Sequence, residues 1–245
     1  MIPLKDDNPT SHQPTVTYFL IGLCVVVFLM QLGSQSYRTG QLFYSYGLIP
    51  SVLMGHKQLP IDLYAVPAYM TIFSSMFMHG GFMHLGGNML YLWIFGDNIE
   101  GALGHARFLI FYLLCGIAAG LAQVFVNPES NIPMIGASGA VSVVLGAYFR
   151  FYPRARVRTF IFLGFFITFL RLPAVLLLGV WIFGQVISAM LSDPGSPGVA
   201  WFAHLGGFAC GLILGPLMKK KGVNVFQPAR ARVKEKPIRI RFRNR

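Results

Sequence analysis

The sequence is poor in charge and poorest in acid: of 245 residues only 11% are charged, with 8 Asp and Glu against 20 Lys and Arg. Water-soluble domains carry ~25% charged residues, so this chain lacks the polar surface to face water all round, which argues against a cytosolic enzyme. Cysteine is scarce too. Cys24, Cys115 and Cys210 each fall in an apolar run and share no metal-type spacing, so they read as packing residues and not as a disulfide framework. Met1–Pro14 is polar and mixed in charge, with no short apolar stretch leading to a small-residue cleavage site, so a mature terminus is expected and not a secretory signal. What is abundant is apolar: 55% of residues are hydrophobic and 14% aromatic, with a mean hydropathy of +0.60. That composition excludes disorder and describes an integral membrane protein.

A spanning helix needs ~20 mostly apolar residues, because the hydrocarbon core is ~30 Å thick and a helix rises ~1.5 Å per residue. Six stretches qualify: Thr17–Leu32, Phe82–Glu100, Phe108–Val126, Pro133–Phe151, Pro173–Leu191 and Ala200–Met218. A seventh apolar stretch, Thr159–Leu170, is too short to span and is cut off by Arg171 and Pro173, so it reads as interfacial or re-entrant. The expected organisation is an N-terminal cytoplasmic segment (1–16), a six-helix membrane domain (17–218) with an outer loop between its first two helices, and a basic cytoplasmic tail (219–245).

The net charge of +12 could suggest nucleic acid, but 11 of the 20 Lys and Arg lie between Lys219 and Arg245. A basic run beside an apolar helix is better explained as a topology anchor near anionic lipid headgroups. No base-stacking module accompanies it, so no nucleic-acid partner is expected. With six spans and an internal N-terminus, 17 basic residues fall inside, Arg38 and Lys57 fall outside and Arg171 is undecided, in keeping with the positive-inside rule.

Topology sets the depth of the polar residues. His84 and Asn88 lie near the outer end of the second span, Ser138 about 7 Å along the fourth by the ~1.5 Å rise, and His204 at a similar level on the sixth. Polar residues inside a membrane are costly and line functional cavities. Ser138, Ser142 and Gly146 repeat every four residues, as do Gly207, Gly211 and Gly215. Such small-residue stripes let helices approach closely; if the two face each other, Ser138 and His204 meet. A serine needs a base to become a nucleophile, and imidazole is the usual one. The Ser138 backbone N–H, His84 and Asn88 are candidate donors for an oxyanion. No carboxylate shares the layer, since Glu129 and Asp193 lie in outer loops while Asp97 and Glu100 lie at the inner end of span two, so a two-residue dyad is expected.

Each element has a plainer explanation. Gly136-Ala137-Ser138-Gly139 also suits helix packing and is not the Gly-x-Ser-x-Gly elbow of soluble hydrolases. His204 alone could line a polar cavity or relay protons. His79 and His84, five apart, do not share a helix face, so no metal pair is expected. His12, His56 and His105 read as exposed, and Trp93, Trp181 and Trp201 as lipid-facing or interfacial. Only the conjunction at one depth favours chemistry.

Taken in order, His79-Gly-Gly-Phe-Met-His84-Leu-Gly-Gly-Asn88, Gly136-Ala-Ser138-Gly139 and Ala203-His204-Leu-Gly-Gly207-Phe-Ala-Cys-Gly211 resemble the rhomboid intramembrane serine proteases over about Thr17 to Met218. The resemblance implies an all-α, six-helix bundle and cleavage of single-pass membrane proteins in or near their transmembrane helix. It implies Ser138 as nucleophile, His204 as general base, His84 and Asn88 as oxyanion donors, and His79, Gly136 and Gly139 in support, with Glu100 structural. No cofactor is implied, and a bacterial cytoplasmic membrane with both termini cytoplasmic is expected. Two positions depart from the pattern. Ala68-Tyr69-Met70-Thr71 stands where many relatives have a Trp-Arg pair, and Ser142 stands where some carry an aromatic stacked on the catalytic histidine, which leaves the group holding His204 unnamed. Span five, bounded by Arg171-Leu172-Pro173 and Asp193–Gly198, is the candidate gate. The competing class is a non-proteolytic membrane chaperone or a proton-coupled transporter using the same layer, although no internal repeat of the transporter kind is visible.

Overall fold

A computed structural model of the chain describes residues 1–10, 12–35, 40–164, 166–193 and 198–228. Residues 194–197 of the loop after span five and 229–245 of the basic tail lie outside them. Six long helices match the six apolar stretches: α1 (Thr15–Gly33), α5 (Phe82–Leu103), α6 (His105–Val126), α7 (Ser138–Phe151), α8 (Ala174–Leu191) and α9 (Trp201–Met218). Between α1 and α5 lie α2 (Gln41–Tyr46), α3 (Pro50–Leu53) and α4 (Ala68–Ser74). The chain is thus a polytopic helical membrane bundle. By length and apolarity α1, α6, α8 and α9 can each cross a membrane, and α5 passes together with the segment Ile61–Phe77, from which it is bent by 77°. α7 is apolar but only 14 residues long, shorter than the expected Pro133–Phe151. Residues 133–137 are non-helical because Met134 pairs with Leu48 in an isolated bridge and Gly136 adopts a φ of +120°.

Where small residues line up, backbones touch. A Cβ on Gly146 would collide with the Phe208 carbonyl, and one on Gly211 with that of Val143, so the two expected stripes do face each other across α7 and α9. Around this contact the rings of Phe95, Phe108, Phe111, Tyr112, Tyr148 and Phe151 are fully buried. Glu100 on α5 is also fully buried. Its carboxylate accepts the Val16 N–H at 2.9 Å and the Thr17 N–H at 2.8 Å, and so caps α1 from a neighbouring helix, a structural role.

The helical expectation omitted a small sheet. Strand β1 (Ile2–Asp6) pairs antiparallel with β2 (Arg156–Leu163), and β2 with β3 (Phe166–Pro173). The stretch Thr159–Leu170, expected to be interfacial or re-entrant, is therefore the body of a β2–β3 hairpin. Its β-branched and aromatic content favours strand over helix. The start of the basic tail also packs on the bundle: the Phe226 and Gln227 N–H groups donate to the carbonyls of Arg150 at 2.9 Å and Phe151 at 2.8 Å.

Candidate active site

Ser138 is the first residue of α7, and its position follows from the break before it. Gly136 occupies the left-handed region, where a side chain is strained, and a Cβ there would lie 2.5 Å from His84 Nε2. The Gly136 N–H donates to the Ser75 carbonyl at 2.9 Å, and the Val141 N–H donates to Ala137 O at 2.8 Å. The N–H groups of Ser138, Gly139 and Ala140 thus precede the helical ladder, where partial positive charge gathers.

His204 lies one turn into α9. Its Nε2 is 2.8 Å from Ser138 Oγ. Its Nδ1 is 2.6 Å from Gln185 Oε1 on α8. An amide oxygen only accepts, so Nδ1 carries the proton and Nε2 keeps the lone pair that faces the serine hydroxyl. Gln185 is oriented in turn, its Nε2 donating to the Trp181 carbonyl at 3.5 Å. The Trp181 ring lies 5.9 Å from His204 at 32°, and that of Trp201 lies 6.1 Å away, edge-on at 89°. The group holding the imidazole is therefore Gln185, flanked by two tryptophans. Trp181, expected at the lipid, sits instead beside His204. The Ser142 hydroxyl, at the position that departs from the aromatic of some relatives, donates back to the Ser138 carbonyl at 2.7 Å.

The candidate donors come from α5. His84 Nδ1 accepts the Gly80 N–H at 3.3 Å, which leaves Nε2 directed toward Gly136. Asn88 is buried, and its Nδ2 finds no acceptor among the described residues. A buried amide without a partner costs free energy, and this one lies 3.7 Å from where a Gly136 Cβ would be. His79 is set back. It is fully buried, its N–H donates to Gln31 Oε1 at 3.1 Å and its carbonyl accepts Gln31 Nε2 at 3.1 Å, and its ring packs on His84 with centroids 5.2 Å apart. Its ring lies against His84 and, among the described residues, makes no hydrogen bond to Ser138. Gly139 packs against Ala119 and Ala203.

A cavity of about 900 Å³ reaches Ser138 and His84. Gln123 and Val126 at the end of α6 and Ala189 and Met190 at the end of α8 form part of its wall, and the irregular segments 130–135 and 198–200 form much of the rest. The Phe202 N–H donates to Gln123 Oε1 at 3.0 Å, which fixes the start of α9 to α6. Gln185 was the residue missed in the sequence. Its signal was there: it is a lone amide in the apolar run Ala174–Leu191, where polar groups are costly.

A serine and a histidine in hydrogen-bond contact inside an apolar helical bundle place the chain among polytopic membrane proteins with a buried polar site, and comparison with known proteins identifies the family. The Rhomboid domain family model matches residues 67–221. The chain is 26% identical over 219 residues to Rhomboid protein 1, mitochondrial, of Saccharomyces cerevisiae, covering 86% of this chain and 55% of that protein. It is 33% identical over 138 residues to Rhomboid protease GluP of Bacillus subtilis, covering 56% of this chain and 24% of that protein. With Presenilin-associated rhomboid-like protein, mitochondrial, of Bos taurus it is 35% identical over 98 residues, 38% of this chain and 25% of that protein. The chain belongs to the rhomboid family, which includes intramembrane serine proteases. It spans about half the length of the yeast relative and about a quarter of the Bacillus one.

Proposed function

We propose that this chain is an intramembrane serine endopeptidase that cleaves single-pass membrane proteins in or beside their transmembrane helix. The observation that carries this reading is the 2.8 Å approach of His204 Nε2 to Ser138 Oγ with Gln185 on the other ring nitrogen. His204 Nε2 takes the hydroxyl proton as Oγ bonds to the scissile carbonyl carbon. The negative oxygen that forms is met by the Ser138 N–H, by Asn88 Nδ2 and by His84 Nε2–H. His204 then returns the proton to the leaving amine as the C–N bond breaks, and water releases the acyl group by the same exchange in reverse.

Several observations support the membrane setting. α7, at about 21 Å for 14 residues, falls short of the ~30 Å hydrocarbon core, so its first residue lies below one face when its last reaches the other. We propose that all six long helices cross the membrane and that the cavity supplies water. We also propose that the basic end faces the cytoplasm of a bacterial cell, with residues 1–16 and the tail on that side. A helical peptide bond is shielded by its own hydrogen bonds, so substrates with small or helix-weakening residues at the cut site unwind at lower cost. The end of α8, which walls the cavity, is the gate in this reading.

In liposomes carrying a model single-span substrate, cleavage is expected for the parent chain and abolished by Ser138→Ala and by His204→Ala, each with the melting temperature retained. A fluorophosphonate is expected to label Ser138 in the parent and not in His204→Ala. Substrate binding without cleavage in the parent would favour a non-proteolytic role.

A further inference from the structure

The β2–β3 hairpin is not absorbed by the catalytic reading. It leaves the end of α7 opposite Ser138 and returns directly into α8, Pro173 closing β3 and Ala174 opening the helix. Residues paired across an antiparallel ladder share a face, and the register pairs Arg158 with Arg171, Phe160 with Phe169 and Phe162 with Ile167. The other face of β2, through Val157, Thr159 and Ile161, is buried. β1 covers the hairpin only as far as Phe160, its partner in Ile2, so the rest of the hairpin extends beyond the sheet.

The uncovered face is graded. Near the bundle it carries Arg156, Arg158 and Arg171, all exposed, with Arg154 just before the strand. Farther out Phe162, Ile167 and Phe169 are 58%, 60% and 53% exposed. The Arg158 guanidinium lies 5.2 Å over the Phe169 ring, so cation and aromatic are side by side. In water such a face, on a sheet whose β3 edge pairs with no further strand among the described residues, would invite aggregation. Aromatics beside arginines instead match the chemistry of a membrane interface, with rings at the acyl boundary and guanidiniums on phosphates. β3 also runs directly into α8, a helix long and apolar enough to cross a membrane, where Leu176, Val180 and Phe183 are likewise exposed.

We propose that the β2–β3 hairpin is a lipid-binding element, its Phe162–Ile167–Phe169 face seated in the leaflet at the end of the bundle opposite Ser138, with Arg154, Arg156, Arg158 and Arg171 on anionic headgroups. It moors the start of α8, the helix whose Gln185 holds His204. The lipid contact itself requires no proteolysis.

The test uses the full chain in nanodiscs, with a bimane label on Ile167→Cys and a second label on Lys57→Cys, an exposed site between α1 and α5, as the aqueous reference. The unsubstituted chain gives the labelling background of the native cysteines. The label at 167 is expected to be quenched by lipids with a shallow acyl nitroxide and shielded at least threefold from aqueous iodide relative to the label at 57. Exchanging phosphatidylcholine for a phosphatidylglycerol mixture is expected to increase the lipid quenching, and Arg158→Glu with Arg171→Glu to cancel that increase. Iodide quenching equal to that at 57 overturns the proposal, since the hairpin is then in water. Shielding from both quenchers overturns it in favour of a protein cover, such as a second copy paired along β3. Quenching indifferent to phosphatidylglycerol in the parent also overturns the anionic-headgroup assignment. None of these readouts depends on peptidase activity.

Discussion

Gln185 changes what a serine–histidine pair can do here. With a carbonyl-type acceptor on Nδ1 at 2.6 Å, the imidazole cannot turn or exchange tautomers without losing a hydrogen bond in a buried position, where such a bond is worth more than in water. In the proposed mechanism Gln185 positions His204, and its loss is expected to act on turnover more than on binding. Gln185→Leu should slow fluorophosphonate labelling of Ser138 roughly tenfold or more, the size of one bond to a group that becomes charged, and lower kcat with KM little changed. Gln185→Glu, which keeps an acceptor, should retain most of the rate. Equal labelling of Gln185→Leu and parent would remove Gln185 from the mechanism. Asn88 makes a second test. Its Nδ2 is buried and without an acceptor among the described residues, a cost tolerated where a ligand oxygen is to arrive. Asn88→Ala should lower kcat by about 10²–10³, as for other single oxyanion donors, while the folded state loses little, because the amide Nδ2 donates to no described group. A large fall in melting temperature with an unchanged kcat would instead make Asn88 structural.

Between elements, the contact that brings nucleophile and base together is made of glycine. α7 and α9 approach so closely that a methyl group on Gly211 would meet the Val143 carbonyl. Gly211→Ala should therefore push the helices apart, cost about 1–3 kcal/mol by overpacking, lower the melting temperature and slow Ser138 labelling. Gly179→Ala on α8 is the matched control: nothing lies within 4 Å of its Cβ position, so the helix is expected to be unharmed or slightly favoured. This contact was legible in the sequence because a four-residue repeat of small residues has one physical use in lipid. The long helices were legible for a similar reason, as apolar length leaves few alternatives. The start of α7 was not, since Pro133–Ala137 is apolar enough to continue a helix and is drawn off by the pairing of Met134 with Leu48, distant in sequence, and by the positive φ of Gly136. Nor was the hairpin. A 12-residue apolar run fits an interfacial segment or a strand equally well until a partner is known, and one partner, β1, lies some 150 positions earlier. Gln185 meets His204 across two helices whose facing no local pattern encodes.

At the scale of the whole molecule, the Ser138–His204 pair lies at one end of the bundle and the attachment of β1 lies at the other. There β1 is fastened to the helices by Asp6, whose Oδ2 accepts the Tyr148 hydroxyl at 2.6 Å. Burial raises the Asp6 pKa from 3.8 to about 7, with Asp97 and Asp7 adding in the same direction and the Tyr148 hydrogen bond opposing them. The sign follows from proton binding. Between pH 4 and 7 the folded chain holds a proton at Asp6 that the unfolded chain has released, so stability falls as pH rises across that interval and levels off above it. At 1.36 kcal/mol per unit the ceiling is about 4 kcal/mol, and the partial exposure of Asp6 brings the effect below it. The attachment of β1 should therefore be tighter at pH 5 than at pH 8. Hydrogen exchange at the amides of Ile2–Asp6 and Arg156–Phe160 is expected to speed up over that range in the parent and to stay level in Asp6→Asn, which cannot ionise and should also melt higher at pH 8. Exchange that slows with rising pH, after correction for intrinsic rates, would mean that the carboxylate, and not the acid, is the form the fold prefers. The sheet would then be held by charge at this joint, and Tyr148→Phe, which removes the side-chain donor to that carboxylate, would become the more damaging of the two substitutions.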